Sequence, residues 1–127
     1  MALELHHVSL LVADTRAALK FYCGILGLEI DEGRPALGFP GAWLRVGSQQ
    51  IHLLELPNPD PLKGRPEHGG RDRHIAFVLD DLAMLRERLD AARIPYTLSR
   101  SGRKALFCRD PDGNACELIE KPPEKSS

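Results

Sequence analysis

The chain has 127 residues, 43% of them hydrophobic and 28% charged, with a formal net charge of -1 at pH 7. No stretch approaches the roughly 20 apolar residues of a transmembrane helix, and the near-neutral charge argues against a nucleic-acid-binding surface, which needs clustered cations. We therefore expect a soluble globular protein of the cytoplasm, with neither nucleic acid nor a membrane as a partner.

The first half of the chain predicts the element order βαβββ. Residues 5–12 alternate in a way that is typical of a strand, and Asp14 then caps a one-sided helix that ends at Gly27. Three shorter strands are predicted at residues 28–31, 42–46 and 50–56. The tight turn between the last two is predicted at Gly47 and Ser48.

The second half predicts the same order. Residues 74–79 form a strand, Asp81 caps the following helix, and Pro95 ends it. The remaining strands are predicted at residues 96–99, 105–109 and 115–120. The chain therefore reads as one βαβββ module written twice.

We expect a single domain over residues 1–127, because halves of about 60 residues are too small to bury an adequate core alone. Its predicted parts are module 1 at 4–56, a linker at 57–72, module 2 at 73–121 and a polar tail at 122–127. The linker is crowded with Pro and Gly, which favours a connecting segment over a further element.

Strand alternation gives each module two candidate ligands. His7 and His74 begin the first strand of each module, on the face that points away from the helix. The fourth strands carry His52 in the first module and Glu117 in the second. Each module can thus present an imidazole and a second ligand-type group, and four metal-capable side chains can converge in one concave sheet.

Other histidines and strand-end charges are expected to take no part. His6 points towards the helix side or an edge, and His68 lies in the linker, which favours a bystander role for both. Glu55 and Glu120 have the opposite strand parity to the candidate ligands, so they are predicted to be surface charges.

These motifs resemble the vicinal oxygen chelate superfamily, which includes glyoxalase I, fosfomycin-resistance and bleomycin-resistance proteins, and extradiol dioxygenases. The resembling segments cover nearly the whole chain: His7-Val8-Ser9-Leu10 with Asp14 and Phe21-Tyr22, the surroundings of His52 and His74, and Asp110-Pro111-Asp112-Gly113-Asn114 leading to Glu117-Leu118. The resemblance implies an α+β fold in which paired βαβββ modules form an open, mixed β-sheet barrel or cup with helices on the outside.

The resemblance also implies a metal site with His7, His74 and Glu117 as ligands and His52 at the place of a fourth. Imidazoles with a carboxylate suit zinc, nickel, iron, cobalt or manganese better than calcium or magnesium. Two further positions on such an ion suit the two oxygens of a chelating substrate. Glu117 is the candidate catalytic residue, because a carboxylate can move a proton between neighbouring carbons.

The chain departs from glutathione-dependent members of that family. They usually place an Arg four residues after the first ligand and an Asn four residues after the second, where this chain has Leu11 and Leu56. Neither leucine can donate a charge-assisted hydrogen bond to a carboxylate. Four loop arginines remain as candidates for binding an anionic substrate: Arg71, Arg73, Arg100 and Arg103.

The function implied by the resemblance is a metal-dependent lyase or isomerase of glyoxalase I type, which stabilises an enolate of a small oxygenated metabolite. Two alternatives stay open. One is an extradiol-type dioxygenase with His7, His74 and Glu117 as its triad, and the other is a metal-free protein that binds an antibiotic or metabolite. We expect a homodimer, because a second copy can cover the sheet edges.

Overall fold

Each half of the chain folds as a βαβββ module around an open, mixed sheet of four strands, which confirms the predicted α+β class. The computed structural model describes residues 1–60 and 62–122, and the chain divides into two units between Leu62 and Lys63. The single domain stays a prediction. Apart from Pro122, the predicted polar tail lies outside the described residues.

The first unit has its sheet in the order β1-β4-β3-β2, with β1 parallel to β4 and the other pairs antiparallel. Its elements are β1 (His7–Leu11), α1 (Thr15–Leu19) continued by the π-helical segment Lys20–Ile25, β2 (Glu29–Asp31), β3 (Gly41–Val46) and β4 (Gln49–Leu54). β1 is shorter than the predicted 5–12, because its pairing with β4 runs only from His7 to Leu11.

The helix of the first unit changes its hydrogen-bond pattern before it ends. The backbone N–H of Leu26 donates to Phe21 O at 3.0 Å, which is the wider spacing of a π-helix. Phe21 and the adjacent Tyr22 are both buried. The chain leaves the helix at Gly27, whose positive φ of 76° is the left-handed conformation that glycine adopts readily.

The second unit repeats this topology with the order β5-β8-β7-β6. Its elements are β5 (His74–Leu79), α2 (Leu82–Ala91), β6 (Tyr96–Leu98), β7 (Ala105–Arg109) and β8 (Ala115–Glu120). The predicted bounds of β5, β7 and β8 are confirmed. The linker contains a short 3-10 helix, Gly69–Arg71, that the Pro and Gly composition did not predict.

The core of each unit lies between its helix and one face of its sheet. In the first unit the buried side chains include Val12, Ala18, Phe21, Tyr22, Leu44, Ile51 and Leu53, and in the second Leu82, Leu85, Leu89, Leu106, Cys116 and Leu118. Since successive strand residues point to opposite faces, His52 and Glu117 project from the other face of β4 and β8. None of the helices in the described ranges combines the length and apolarity that a bilayer crossing needs.

Two glutamates predicted to be surface charges are partly exposed and also accept hydrogen bonds from the amino ends of the helices, a role that strand parity did not predict. Glu55 Oε1 accepts a hydrogen bond from Thr15 N at 2.8 Å, and Glu120 Oε1 accepts one from Leu82 N at 3.1 Å. The first turn of a helix leaves backbone N–H groups without partners and carries partial positive charge, so a carboxylate is stabilised there. This contact between a glutamate at or just after the end of the fourth strand and the start of the helix occurs in both units.

Asp81 is the predicted cap of α2, and its side chain accepts a hydrogen bond from Met84 N at 3.0 Å. Replacement of Asp81 by Ala should lower the free energy of unfolding by about 1 kcal/mol, because this backbone donor loses its partner. Urea denaturation followed by circular dichroism measures the change. Asp80→Ala, at the exposed neighbouring position, is the matched control, and equal stability of the two variants would contradict the assignment.

Candidate functional site

The four predicted ligands lie in two pairs, one in each unit. The rings of His7 and His52 stack with centroids 3.9 Å apart, and His74 Nε2 lies 3.4 Å from Glu117 Oε1. Over residues 1–60 and 62–122, no cluster of three or more His, Cys, Asp or Glu side chains is close enough to hold a metal ion. The first unit thus brings His7 to His52, and the second brings His74 to Glu117.

The parallel strand pair of each sheet sets this pairing. Ser9 on β1 is the register partner of His52, and Ala76 on β5 is the register partner of Glu117. In both sheets the first-strand histidine lies two residues before that partner, on the same face. The repeat therefore places His7 beside His52 and His74 beside Glu117 by the same geometry.

The indole ring of Trp43 packs against the pair of His7 and His52. Trp43 is the β3 partner of His52, and the two rings stack at 4.3 Å with planes 8° apart. His52 is thereby held between the indole of Trp43 and the imidazole of His7, which are both nearly parallel to it. This packing restricts rotation of the His52 ring.

The Gln50 amide fixes the tautomer of His52. Gln50 Nε2 donates to Asp31 Oδ2 at 2.7 Å, which leaves Gln50 Oε1 facing His52 Nε2 at 2.8 Å. An amide oxygen only accepts, so His52 Nε2 carries the proton and Nδ1 keeps the lone pair. Burial, followed by the charges of His7 and His6, holds the pKa of His52 below its ordinary value.

His6 contacts a candidate ligand, although the sequence favoured a bystander role. Its Nδ1 lies 2.8 Å from Nδ1 of His7, and the two rings meet edge to face. One of the two nitrogens must carry the proton. When it is that of His7, the lone pair of His7 lies on Nε2, the atom that a metal would bind.

The second pair has a different environment. His74 Nδ1 donates to the carbonyl oxygen of Asp72 at 2.9 Å, so Nε2 keeps the lone pair and faces Glu117 Oε1. Phe107, the β7 partner of Glu117, meets the His74 ring edge to face at 5.2 Å. A backbone carbonyl on one ring nitrogen is the common orienting contact of metal-binding histidines.

Glu117 is a buried carboxylate with little to balance its charge. The residue is 3% exposed, and Oε2 has no hydrogen-bond partner within the described residues. Arg103 Nη2 lies 3.5 Å from Oε2 without forming a hydrogen bond, and its own side chain is largely exposed. Two electron-pair donors that face each other beside an oxygen without a hydrogen bond fit a bound cation, because one largely exposed arginine offsets only part of the cost of burying the charge.

The four predicted substrate-binding arginines lie in three different settings. Arg71 and Arg100 line a cavity of about 650 Å³ together with Glu67 and His68, while Arg103 approaches Glu117. Arg73 adjoins His74, and its backbone N–H donates to Asp72 Oδ1 at 2.8 Å. The arrangement brings two of the four together as candidates for holding an anion.

His68 anchors one wall of this cavity. Its Nδ1 accepts from Gly70 N at 3.0 Å, which leaves Nε2 to donate to the carbonyl of Leu98 at 3.1 Å. The prediction of a bystander role concerned metal binding, and both ring nitrogens are occupied by the protein itself. His68 therefore joins the linker to the end of β6.

Three residues near the candidate ligands were missed by the sequence reasoning: Gln50, Asp72 and Arg109. Gln50 has the strand parity of His52, two residues away, so its contact could have been inferred from alternation. Asp72 and Arg109 form an ion pair across 37 residues of chain, for which no local pattern gives a signal.

A family model matches most of the chain. It describes the Glyoxalase/Bleomycin resistance protein/Dioxygenase superfamily and matches residues 4–118. The protein Glyoxylase I 4 of Arabidopsis thaliana is 33% identical over 91% of this chain and 69% of its own length. Lactoylglutathione lyase of Haemophilus influenzae is 28% identical over 98% of this chain and 97% of its own length. Both modules are included in these similarities.

Solved structures share the fold at lower identity. A glyoxalase family protein from Bacillus anthracis matches with a TM-score of 0.77 and 23% identity, over 96% of this chain and 98% of its own. A fosfomycin resistance protein from Listeria monocytogenes matches with a TM-score of 0.74 and 22% identity, over 94% and 91% respectively. At such identities the likeness establishes the fold alone.

Removal of the neighbouring imidazole should raise the pKa of His52. His7→Gln takes away both a ring that buries His52 and a charge that repels its protonated form, so both changes act in the same direction. NMR titration of the ring protons of His52 in metal-free protein measures the midpoint. His68→Gln serves as the control, and an unchanged midpoint in His7→Gln would refute the assigned cause.

Proposed function

Because the chain belongs to the Glyoxalase/Bleomycin resistance protein/Dioxygenase superfamily, we propose that it is a metal-dependent lyase or isomerase of glyoxalase I type. The observation that carries this proposal is the pair of His74 and Glu117, two electron-pair donors 3.4 Å apart, with no hydrogen bond to Glu117 Oε2 within the described residues. The relative named Glyoxylase I 4, at 33% identity, supports the same reaction class.

We assign the cation to four ligands: His7, His52, His74 and Glu117. Imidazole and carboxylate donors suit zinc, nickel, iron, cobalt or manganese, and their softness leaves the choice among these open. His74 offers Nε2, and His52 offers Nδ1 while Gln50 occupies its other nitrogen. When bound, such a cation supplies Lewis-acid polarisation of the two oxygens of a chelating substrate.

Glu117 is the proposed catalytic residue. Its Oε2 accepts no hydrogen bond in the described residues, so no hydrogen bond has to break before this atom takes a proton from a substrate carbon and returns it to the neighbouring carbon. Phe107 packs against His74 and is itself 7% exposed, which keeps water from one side of the pair. A small oxygenated metabolite such as a hydroxyketone or hydroxy acid is the proposed substrate class.

The proposed enzyme binds an anionic part of its substrate through arginine. Leu11 and Leu56 cannot donate to a carboxylate, so recognition of a glutathione-like group has to come from other residues. Arg71 and Arg100 line one cavity, and their guanidinium groups have no hydrogen-bond or ion-pair partner within the described residues. Arg73 and Arg103 remain proposed contacts nearer to His74 and Glu117.

We also propose a cytoplasmic homodimer. Val78 on β5 and Leu98 on β6 are apolar side chains on the two edge strands of the second sheet, exposed by 67% and 54%. An edge strand with exposed apolar side chains is stabilised when a second copy covers it. Sedimentation of the purified protein at micromolar concentration separates a dimer from a monomer.

Protein purified without added ions and then titrated with Ni²⁺ or Zn²⁺ should bind about one ion per chain, and His74→Ala should weaken that affinity by at least about 100-fold. His68→Ala is the control, because both ring nitrogens of that histidine are hydrogen-bonded to backbone groups. Lack of binding in calorimetry would favour the metal-free binder. Oxygen uptake with catechols after iron loading would favour the dioxygenase.

Glu117→Gln should abolish carbon–proton exchange, because an amide keeps the shape of the side chain and cannot take a proton. Exchange with deuterated solvent is followed by mass spectrometry on a panel of hydroxyketones and hydroxy acids, and formation of lactoylglutathione is assayed beside it. Glu120→Gln is the control carboxylate on the same strand. Exchange that survives in Glu117→Gln would assign proton transfer to another group.

Arg71→Gln combined with Arg100→Gln should raise KM for an anionic substrate by about 10-fold or more while kcat changes little, because a charge-assisted hydrogen bond contributes about 1.5–3 kcal/mol. Uncharged substrates of the same panel should be unaffected. Arg45→Gln, which breaks an exposed ion pair with Glu29, is the control. Equal loss for charged and uncharged substrates would point to a structural effect.

A further inference from the structure

We infer that Arg109 is a positioning residue for His74 and acts through Asp72. Arg109 holds the Asp72 side chain, while the Asp72 backbone carbonyl accepts the Nδ1 proton of His74. The orientation of the candidate ligand thus depends on an ion cluster that makes no contact with the metal-binding atoms. The consequence for metal binding rests on the proposed function, whereas the effect on His74 itself does not.

Two arginines, Arg109 and Arg65, donate hydrogen bonds to the carboxylate of Asp72. Arg109 Nη1 donates to Oδ2 at 2.8 Å, and Arg65 Nη1 donates to both carboxylate oxygens at 3.1 and 3.2 Å. The Asp72 side chain is 10% exposed, so these charge-assisted hydrogen bonds lie largely away from solvent. An aspartate held by two guanidinium groups has little freedom to move.

Arg109 also ties this cluster to the hairpin that leads into β8. Its Nη1 donates to the carbonyl of Gly113 at 2.6 Å, and its Nη2 donates to the carbonyl of Pro66 at 2.7 Å. Gly113 lies in the turn between β7 and β8, and β8 carries Glu117. One side chain therefore joins the linker, Asp72 and the strand of the second ligand.

The backbone of Asp72 then decides the tautomer of His74. A carbonyl oxygen accepts but cannot donate, so the 2.9 Å contact requires a proton on Nδ1 and leaves the lone pair on Nε2, towards Glu117. This contact spans only two residues, and a flexible segment would not maintain it against solvent. The ion cluster supplies the rigidity that keeps the carbonyl in place.

The contacts of Arg109 explain why lysine is not equivalent to it. Arg109 donates to three separate oxygens, on Asp72, Gly113 and Pro66, with two nitrogens of one planar group. A lysine ammonium is a single point donor, which can pair with the carboxylate but cannot occupy all three positions. A partial rescue by Lys is therefore expected.

The test is the tautomer of His74 in metal-free protein labelled with ¹⁵N. Long-range proton–nitrogen correlation distinguishes Nδ1–H from Nε2–H, and loss of the signals in His74→Gln assigns them. The wild type should show Nδ1–H, Arg109→Gln should show a mixture or Nε2–H, and Arg109→Lys should lie between them. Lys104→Gln, which removes the exposed Lys104–Glu120 ion pair from the same sheet, should leave the tautomer unchanged.

Metal affinity gives a second readout. Arg109→Gln should weaken Ni²⁺ binding about 10- to 100-fold, as is typical when a contact behind a ligand is lost, and Lys104→Gln should not. A wild type that binds no Ni²⁺ would contradict the proposed function. The tautomer of His74 would then decide alone whether Arg109 positions this residue. A folded Arg109→Gln with His74 still wholly Nδ1–H would overturn the inference.

A further variant covers the case in which Arg109→Gln does not fold. Asp72→Asn keeps the size of the side chain and its backbone carbonyl, and removes the charge and one of the two acceptor oxygens that pair with Arg109 and Arg65. The same shift of His74 away from Nδ1–H is expected. Thermal unfolding confirms that the variant is folded, and an unchanged tautomer in it refutes the role of the cluster.

Discussion

A carboxylate buried on the open face of a sheet is the constraint around which the second unit is organised. Glu117 is nearly inaccessible, and one of its oxygens has no hydrogen-bond partner within the part of the chain that the structure describes. Burying such a charge is costly unless a cation balances it. Its neighbour His74 is held with a lone pair towards it, so the two groups cannot form a hydrogen bond with each other and can both donate to one cation.

The same backbone geometry produces a different result in the first unit. The parallel pairing that brings His74 to Glu117 brings His7 to His52, but Trp43 and Gln50 there occupy the face and one nitrogen of His52. The first pair is therefore stacked, and one ring nitrogen of His52 is already occupied by Gln50. The repeat places His52 and Glu117 at equivalent positions. The side chains on neighbouring strands decide which of their atoms are left without a hydrogen-bond partner.

Charged groups away from the candidate ligands hold both pairs in place. Glu55 and Glu120 fix each helix to the strand that carries a candidate ligand, and the cluster of Asp72, Arg65 and Arg109 fixes the segment before β5. These contacts involve charged hydrogen bonds that are partly shielded from solvent, where they are stronger than at an exposed surface. Rigid placement matters because a ligand that is free to rotate binds a metal weakly.

The sequence by itself determined the repeated βαβββ order, the caps Asp14 and Asp81, and the faces of His7, His52, His74 and Glu117. These features depend on strand period, helix capping and turn residues, which are properties of neighbours in the chain. Tertiary structure alone decided which nitrogen of His52 and His74 is free, and that Glu55 and Glu120 serve the helices. Those outcomes depend on hydrogen bonds whose direction only the packed structure fixes, and on partners as far apart as Asp72 and Arg109, 37 residues along the chain.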